Sequence, residues 1–282
     1  MGVLPDDELL RFLSDDCPFS DLTTEGLGIG DVAASAVLTA RGDMLVCGVE
    51  EAGRMFELSG ASVELAARSG ERLGAGAVIL RADGKAGALH RTYKVAQTLM
   101  EILSGISTAT RAIVEAARSA NPACSVVCTR KHMPGMKRLA LRAIEAGSAK
   151  PHRLGLSDYV LVFEEHRILL DKSRSLDVHF QRLRSAAVER RLAAEADTVE
   201  GAIMLAEAGA EVVQVDKLTP EQIASVAKGL ARFNPRPLLA AAGGVNAGNA
   251  AAYAAAGADI LVTSSPYYAP PKDVKVQFNP AT

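Results

Sequence analysis

The sequence predicts an α/β protein in which a small α+β domain is followed by a closed or nearly closed (β/α) barrel. With 282 residues, of which 49% are hydrophobic and 23% charged, the chain can bury a large core in one big domain or two unequal ones. The first hundred residues combine a helical segment with several β-rich segments. From Ser125 onward, short apolar segments alternate with helical ones, which is typical of parallel βα units.

The amino-terminal part is predicted to begin with a helix near Asp6 to Leu13. The predicted strands that follow are Ala34 to Ala40, Met44 to Cys47 and Ala77 to Leu80. Apolar residues then recur at helical spacing from about Ala86 to Leu103. Ser104-Gly105 is predicted to interrupt this helix, and a second helix continues to about Ala120.

The barrel is predicted from repeated strand and helix patterns. The predicted strands are Ser125 to Cys128, Tyr159 to Val162, Val188 to Ala194, Val212 to Val215, Leu238 to Ala241 and Ile260 to Val262. The predicted helices between the later strands are about Thr198 to Glu207, Pro220 to Arg232 and Asn246 to Ala256. We therefore expect an amino-terminal domain over residues 1–107 and a barrel over 108–265. The tail, residues 266–282, contains VKVQF and is expected to return to the first domain as an edge strand.

Composition limits the classes of partner. The formal net charge of −2 and the 4% aromatic content give no global attraction to nucleic acid or to an anionic membrane. The amino terminus lacks a basic region and an apolar core, so it does not resemble a signal peptide, and no apolar run reaches spanning length. We expect a cytoplasmic protein with small-molecule substrates, in which any anion site is a local cluster.

Charged and small residues follow the predicted strand ends. They are Thr129-Arg130-Lys131, Glu195 with Asp197, Asp216-Lys217, Gly243-Gly244 and Thr263-Ser264-Ser265. An active site at the top of a barrel requires such residues at strand carboxyl ends. Arginine and lysine suit phosphate oxygens, and carboxylates suit sugar hydroxyls or Mg²⁺. A helix predicted at Asn246 would aim backbone N–H groups at a phosphate beside the two glycines.

The four cysteines, Cys17, Cys47, Cys124 and Cys128, fit reduced thiols of an intracellular protein better than a disulfide framework. Cys124 and Cys128 could form a metal site with His132, but a fourth ligand is missing from this pattern. Two buried small hydrophobic residues are the favoured interpretation.

A family resemblance rests on the segment TRKHMPGMKRLALRAIEAGSAKPHRLGLSDYVLVFEEH, which spans Thr129 to His166. It resembles the core signature of the quinolinate phosphoribosyltransferases, also called nicotinate-nucleotide pyrophosphorylases. Further motifs in the same order are DLTT at Asp21, CGV at Cys47, GER at Gly70, SGIST at Ser104 and AGG at Ala242. The resemblance therefore covers nearly the whole chain.

The resemblance implies an amino-terminal α/β sandwich domain and an incomplete (β/α) TIM-like barrel, the type II phosphoribosyltransferase fold. It also implies a head-to-tail homodimer, or a hexamer built from dimers, in which Lys94 is the basic residue lent to the neighbouring subunit. The implied substrates are phosphoribosyl diphosphate and an acidic base, with Mg²⁺ as cofactor held by Glu195 and Asp216 directly or through water. Lys131, Glu195 and Asp216 are the implied catalytic residues. The implied phosphate- and substrate-binding residues are Lys94, Arg130, Lys131, His152 and Arg153. From their places at strand ends, Lys217, Gly243, Gly244 and Ser264 are predicted to join them.

Several residues depart from the family pattern. Quinolinate enzymes resemble one another in LIKDNH, where this chain has LVFEEH and thus Phe163 and Glu165; with His166 these residues are predicted to line the pocket. The later aspartate-asparagine pair is Asp216-Lys217 here, and Ser264 replaces a glycine of the phosphate loop. Losing a cation and gaining a carboxylate should weaken binding of a pyridine dicarboxylate.

The departures, together with EAD at Glu195 and QVDK at Gln214, resemble the ModD branch of the family, which is named for its association with molybdenum transport genes. The main hypothesis is a ModD-like pyrophosphorylase that transfers phosphoribosyl to a nitrogen base or a carboxylated acceptor. Two alternatives remain open: a true carboxylating quinolinate phosphoribosyltransferase of NAD biosynthesis, and a non-catalytic protein that binds oxyanions or nucleotides in molybdenum handling.

Overall fold

The computed structural model describes residues 2–281 and confirms the α/β class. The chain divides into two compact units. The first comprises Met1–Arg111, Met133–Ser148 and Pro266–Thr282, and the second comprises Ala112–His132 and Ala149–Ser265. Residues 133–148 thus belong to the first unit, whereas the sequence prediction assigned them to the barrel.

The first unit is built around an antiparallel sheet. Its helices are α1 (Asp6–Asp16), α2 (Leu22–Gly26), α3 (Val49–Leu58), most of α4 (Ala86–Ala120), and α5 (Lys137–Ala146). Its strands are β1 (Ala33–Ala40), β2 (Met44–Leu45), β3 (Ser62–Leu65), β4 (Arg72–Leu73), β5 (Val78–Lys85) and β13 (Val274–Pro280). The main sheet has the order β13-β1-β5-β3, and β2 pairs with β4.

One face of this sheet forms the core of the first unit. Alternate residues of β1, such as Leu38, are buried together with Ile79 of β5, Phe56 of α3 and Met100 of α4. The tail forms the edge strand of the sheet, since β13 runs antiparallel to β1 with Ala40 opposite Val274. The period-two burial of β1 follows from the alternation of side chains along a strand.

The predicted interruption of α4 at Ser104-Gly105 is wrong, because the helix is continuous over 35 residues. The hydroxyl of Ser104 accepts a hydrogen bond from the backbone N–H of Cys47 at 3.0 Å, and that of Ser107 donates to the carbonyl of Leu45 at 2.5 Å. A side chain at Gly105 would collide with the carbonyl of Pro270. The small and hydroxylated residues therefore serve close packing and do not end the helix.

The second unit is a curled parallel sheet that does not close. Its strands are β6 (Ser125–Cys128), β7 (Lys150–Pro151), β8 (Val160–Val162), β9 (Leu192–Ala196), β10 (Val212–Asp216), β11 (Leu238–Ala242) and β12 (Ile260–Thr263). Its helices include α6 (Glu164–Arg167), α7 (Leu176–Ala186), α8 (Val199–Glu207), α9 (Pro220–Leu230) and α10 (Ala250–Ala255). The order β7-β6-β12-β11-β10-β9-β8 leaves β7 and β8 at separate edges, which confirms the incomplete barrel.

Both faces of the central strands are buried, as expected for a parallel sheet covered by helices. β10 is buried at Val212 through Val215, and β11 at Leu239 through Ala242. Among residues 2–281, no helix is both long enough and apolar enough to cross a membrane.

Candidate functional site

The candidate site lies at the carboxyl ends of the strands of the parallel sheet. Because every pairing in this sheet is parallel, these ends share one edge. Taken in order across the sheet, the predicted residues are His152 and Arg153 after β7, Arg130 and Lys131 after β6, Ser264 after β12, Gly243 and Gly244 after β11, Asp216 at the end of β10 with Lys217 after it, Glu195 on β9, and Phe163, Glu165 and His166 after β8.

The floor of the site is an apolar cluster on the inner face of the sheet. It contains Ala193, Val212, Ala240 and other buried residues of neighbouring strands. Side chains two positions apart on a strand share a face. Glu195 and Gln214 therefore lie one layer above Ala193 and Val212, on the same face and nearer the carboxyl edge.

Negative charge is concentrated around Glu195, which is half-buried. The side-chain amide of Gln214 donates to its Oε2 at 2.5 Å. Burial raises the pKa of Glu195; the hydrogen bond from Gln214 lowers it, the charges of Asp216 and Glu165 raise it, and Lys131 lowers it. These groups are thus within electrostatic reach of one another, and the pair Glu195 and Asp216 offers a cation two neighbouring carboxylates.

A strained turn holds Asp216 at the end of β10. Lys217 has φ of 59°, in the left-handed region, and its backbone N–H donates to the carbonyl of Ala242 at 2.9 Å. Its ammonium lies 3.5 Å from the Asp216 carboxylate, although the lysine side chain is largely exposed. A Cβ at Gly243 would stand 2.5 Å from Oδ1 of Asp216. Only glycine fits here, which identifies a packing reason for Gly243 besides phosphate binding.

The cations form a second group. Burial lowers the pKa of Arg153, and the charge of Arg130 lowers it further, so the two guanidinium groups are within electrostatic reach of each other. Within residues 2–281, neither arginine forms an ion pair with a carboxylate. Two adjacent, uncompensated cations favour an anionic ligand.

His152 differs from the predicted basic set. Burial, with a smaller contribution from the charge of Arg153, lowers its pKa to about 4. Its ring packs against Tyr159, with 5.7 Å between ring centroids. In the free protein at neutral pH, His152 is therefore a neutral imidazole, and the positive charge of this group comes from the arginines and Lys131.

Phe163 lies between Arg153 and His166. The guanidinium carbon of Arg153 is 5.6 Å from the ring centroid of Phe163, and the His166 ring stacks at 5.9 Å with an interplanar angle of 19°. Nδ1 of His166 accepts from the backbone N–H of Phe163 at 3.0 Å. His166 thus fixes the start of α6, Phe163 lies beside Arg153, and Glu165 is exposed.

The helix predicted at Asn246 begins only at Ala250 and has six residues. The intervening segment is held by asparagine side chains. Those of Asn246 and Asn249 each donate to the carbonyl of Gly244 at 3.0 Å, and Oδ1 of Asn249 accepts from the backbone N–H of Asn246 at 2.8 Å. These bonds compete with helix formation. A helix terminus therefore does not follow the two glycines directly, although Gly244 adjoins open space.

Ser264 is half-buried on the segment that leaves β12. The hydroxyl of Thr263 donates to the carbonyl of Val245 at 2.6 Å and accepts from the backbone N–H of Ser265 at 3.1 Å. The segment after β12 is thus tied to the one after β11. Ser264 therefore lies beside the glycine segment, as a shared phosphate site would require.

Lys94 is the one predicted site residue that belongs to the first unit. It lies on α4, and its ammonium donates to the side chain of Gln97 at 3.2 Å. Its proposed role concerns a neighbouring subunit and stays a prediction. Cys124 and Cys128 are buried, and within residues 2–281 no group of three or more His, Cys, Asp or Glu side chains is suited to a metal.

Gln214 is the residue of the site that sequence reasoning missed. The sequence places it in the predicted strand Val212 to Val215 and in the QVDK motif, without a role in the site. A signal was present, because Gln214 and Asp216 share a strand face and a polar residue within a buried strand needs a partner.

Comparisons with known proteins identify the family. The family model for the amino-terminal domain of quinolinate phosphoribosyl transferase matches residues 21–104, and that for the carboxy-terminal domain matches residues 106–277. The chain is 43% identical over 251 residues to the "Putative pyrophosphorylase ModD" of Rhodobacter capsulatus. The matched region covers 89% of this chain and 96% of that protein.

A more distant relative carries a different name. The chain is 30% identical to the "Probable nicotinate-nucleotide pyrophosphorylase [carboxylating]" of Archaeoglobus fulgidus, over 86% of this chain and 92% of that protein. The fold is similar to that of NadC from Streptococcus pyogenes, with a TM-score of 0.90, 22% identity and full coverage of both chains. The family resemblance is thus confirmed: the chain belongs to the quinolinate phosphoribosyl transferase family and is a phosphoribosyltransferase, that is, a pentosyltransferase.

Proposed function

We propose that this protein transfers the phosphoribosyl group of phosphoribosyl diphosphate to a nitrogen base and releases diphosphate. The observation that carries the proposal is the pairing, at one edge of a half-barrel, of adjacent uncompensated arginines with a group of carboxylates. A donor with a diphosphate and a ribose needs both kinds of group. Family membership supports the same reaction class.

In this reaction the bond between the anomeric carbon and the diphosphate oxygen breaks, and the electron pair leaves with diphosphate. The base nitrogen forms the new bond to the same carbon. Arg130 and Arg153 would hold anionic oxygens by forked hydrogen bonds, with Lys131 as a point charge. Positive charge that develops on the ribose would be stabilised by Glu195 and Asp216. Positioning and charge stabilisation suffice, so no covalent nucleophile is required.

Mg²⁺ is part of the proposal as a cofactor. Glu195 and Asp216 fit it, because Mg²⁺ is commonly bound by one or two carboxylates together with substrate phosphates. When bound, Mg²⁺ would neutralise charge on the diphosphate. The charges of Asp216 and Glu165 contribute to the raised pKa of Glu195, and a cation bound between the carboxylates would offset that repulsion.

For the acceptor we propose a base with fewer negative charges than a pyridine dicarboxylate. Two observations support an acceptor with less negative charge: the aromatic ring of Phe163 lies beside Arg153, and the carboxylate of Glu165 adds negative charge within electrostatic reach of Glu195. The name of the Archaeoglobus fulgidus relative favours the alternative, carboxylating conversion of quinolinate. A direct assay with quinolinate separates the two functions.

Two further elements follow from the resemblance to the ModD branch. We propose that the protein acts as a homodimer or a dimer-based hexamer in which Lys94 reaches the neighbouring active site. We also propose a link to molybdenum transport, which rests on the resemblance to the ModD branch; the Rhodobacter capsulatus relative is named as a ModD protein. Equilibrium binding of molybdate without turnover of any base would instead favour a non-catalytic accessory role.

The test is calorimetric titration of the protein with phosphoribosyl diphosphate in the presence of Mg²⁺. Arg130→Ala is expected to weaken binding at least about a hundredfold, because a charged hydrogen-bonding partner of the diphosphate is lost. Arg232→Ala is the control, since Arg232 is exposed and paired with Glu207 beyond the end of α9. Equal affinities of Arg130→Ala and the wild type would contradict the proposal.

A further inference from the structure

Gln214 is a buried polar residue at the centre of the half-barrel. It is 4% exposed and lies on β10 among Val212, Val213 and Val215, all buried. Across the sheet it lies opposite Glu195 on one side and Ala240 on the other. Its side chain therefore has one polar neighbour in the sheet register.

The hydrogen bonds of Gln214 are incomplete. Its amide nitrogen donates to Oε2 of Glu195, whereas its own Oε1 is buried without a hydrogen-bond partner in residues 2–281. Turning the amide over would bring its oxygen against the carboxylate, which is repulsive. The interaction with Glu195 thus fixes the amide orientation and leaves the carbonyl unsatisfied.

Folding alone would not favour this arrangement. A buried acceptor without a donor costs free energy, and an unbranched apolar side chain of similar volume would avoid that cost. Gln214 is also too deeply buried to touch a ligand itself. Its effect on the site must pass through Glu195.

We propose that Gln214 is a positioning residue, which holds one oxygen of Glu195 so that the other faces the ribose and Mg²⁺ of the donor. This inference rests on the proposed function, because Glu195 is assigned to the donor there. It predicts an unusual pair of effects for an apolar replacement of Gln214: weaker ligand binding without loss of stability.

The experiment compares Gln214→Met with the wild type by thermal unfolding and by calorimetric titration with Mg²⁺ and with phosphoribosyl diphosphate plus Mg²⁺. We expect Gln214→Met to unfold at or above the wild-type temperature and to bind the donor about tenfold to a hundredfold more weakly. Once an acceptor base is known, KM for the donor should rise more than KM for the base.

Gln222→Met is the matched control. The Gln222 side chain accepts from the backbone N–H of Thr219 in the capping box of α9, and it is exposed. This variant should lose stability and retain donor binding. A double variant tests the pathway: in a Glu195→Gln background, Gln214→Met should change affinity less than twofold, because the charged partner is already absent.

Three results would overturn the inference: a lower unfolding temperature of Gln214→Met, unchanged donor affinity, or an undiminished effect in the Glu195→Gln background. If the wild type does not bind phosphoribosyl diphosphate at all, the proposed function fails. The inference is then decided by unfolding and Mg²⁺ titration, in which a stable Gln214→Met with weakened Mg²⁺ binding supports it and any other result refutes it.

Discussion

Replacing Gly243 by alanine tests whether the close approach of the segments that follow β10 and β11 is needed to place Asp216. Gly243 has φ of 83°, and a Cβ there would stand 2.5 Å from Oδ1 of Asp216 and 2.6 Å from the backbone nitrogen of Lys217. A left-handed conformation costs a non-glycine residue roughly 1–2 kcal/mol. Forcing extra volume into packed surroundings adds about 1–3 kcal/mol. Gly243→Ala should therefore lower the free energy of unfolding by about 2–5 kcal/mol and displace the Asp216 carboxylate.

Gly244 is the control for backbone strain. Its φ is 82°, but nothing lies within 4 Å of a Cβ placed there. Gly244→Ala should therefore lower the free energy of unfolding by only about 1–2 kcal/mol. Thermal unfolding measured by circular dichroism should rank Gly243→Ala at least about 2 °C below Gly244→Ala. Equal unfolding temperatures would show that the contact with Asp216 has no energetic weight.

Ligand binding provides the second measurement. Gly243→Ala should weaken binding of phosphoribosyl diphosphate with Mg²⁺ at least about tenfold, because a displaced Asp216 no longer meets the ligand. Gly257→Ala is the binding control: Gly257 also has a positive φ, 102°, but it precedes the amino end of β12. The reasoning is refuted if Gly243→Ala binds as tightly as Gly257→Ala.

Two further predictions concern charge and pH. Arg142→Met should lower the free energy of unfolding by about 3–5 kcal/mol, because the fully buried Glu51 carboxylate, 2.8 Å from Arg142, loses its cation. Chemical denaturation measures the loss. In the same assay the control Arg138→Met, which removes an exposed ion pair, should lower the free energy of unfolding by less than about 1 kcal/mol. The pKa of His152 is lowered to about 4 in the folded protein. Between about pH 6.5 and 4 the unfolded chain therefore binds more protons at this residue than the folded chain does. The contribution of His152 to stability is thus present above pH 6.5 and is lost as the pH falls. His152→Gln should reduce the loss of stability between pH 7 and pH 5 by about 2 kcal/mol, and parallel losses in both proteins would contradict the assignment.

Regular apolar strands were predictable from the sequence, and short or partly polar ones were not. β6 has the predicted bounds, and β11 and β12 each extend one residue further. The two-residue β7 was missed, because Lys150-Pro151 has no apolar pattern. The predicted bounds of β9 begin too early, because the sequence indicates a strand from Val188, whereas the Val188 side chain is 83% exposed and the strand begins at Leu192. A single apolar residue is weak evidence of burial.

The positions of the candidate residues at strand ends were predictable from the sequence, but their arrangement was not. Strand ends indicated which side chains meet, because all parallel strands deliver them to one edge. The neutral state of His152 depends on burial by residues distant in sequence, which no motif reports. Asn246 was interpreted as the start of a helix, whereas its side chain bonds locally and delays the helix to Ala250.

The strained residues at the ends of β10 and β11 connect the fold to the chemistry. Lys217 occupies a left-handed conformation that glycine would adopt at lower cost, and the chain nevertheless has lysine there. Its backbone bond to Ala242 draws the two strand ends together, and Gly243 then leaves room for the Asp216 carboxylate. Gln214, two residues earlier, likewise gives up a hydrogen bond to hold Glu195. Each departure from the locally preferred structure thus involves one of the two carboxylates that we propose for the donor, Glu195 and Asp216, and departures of this kind are expected at functional sites.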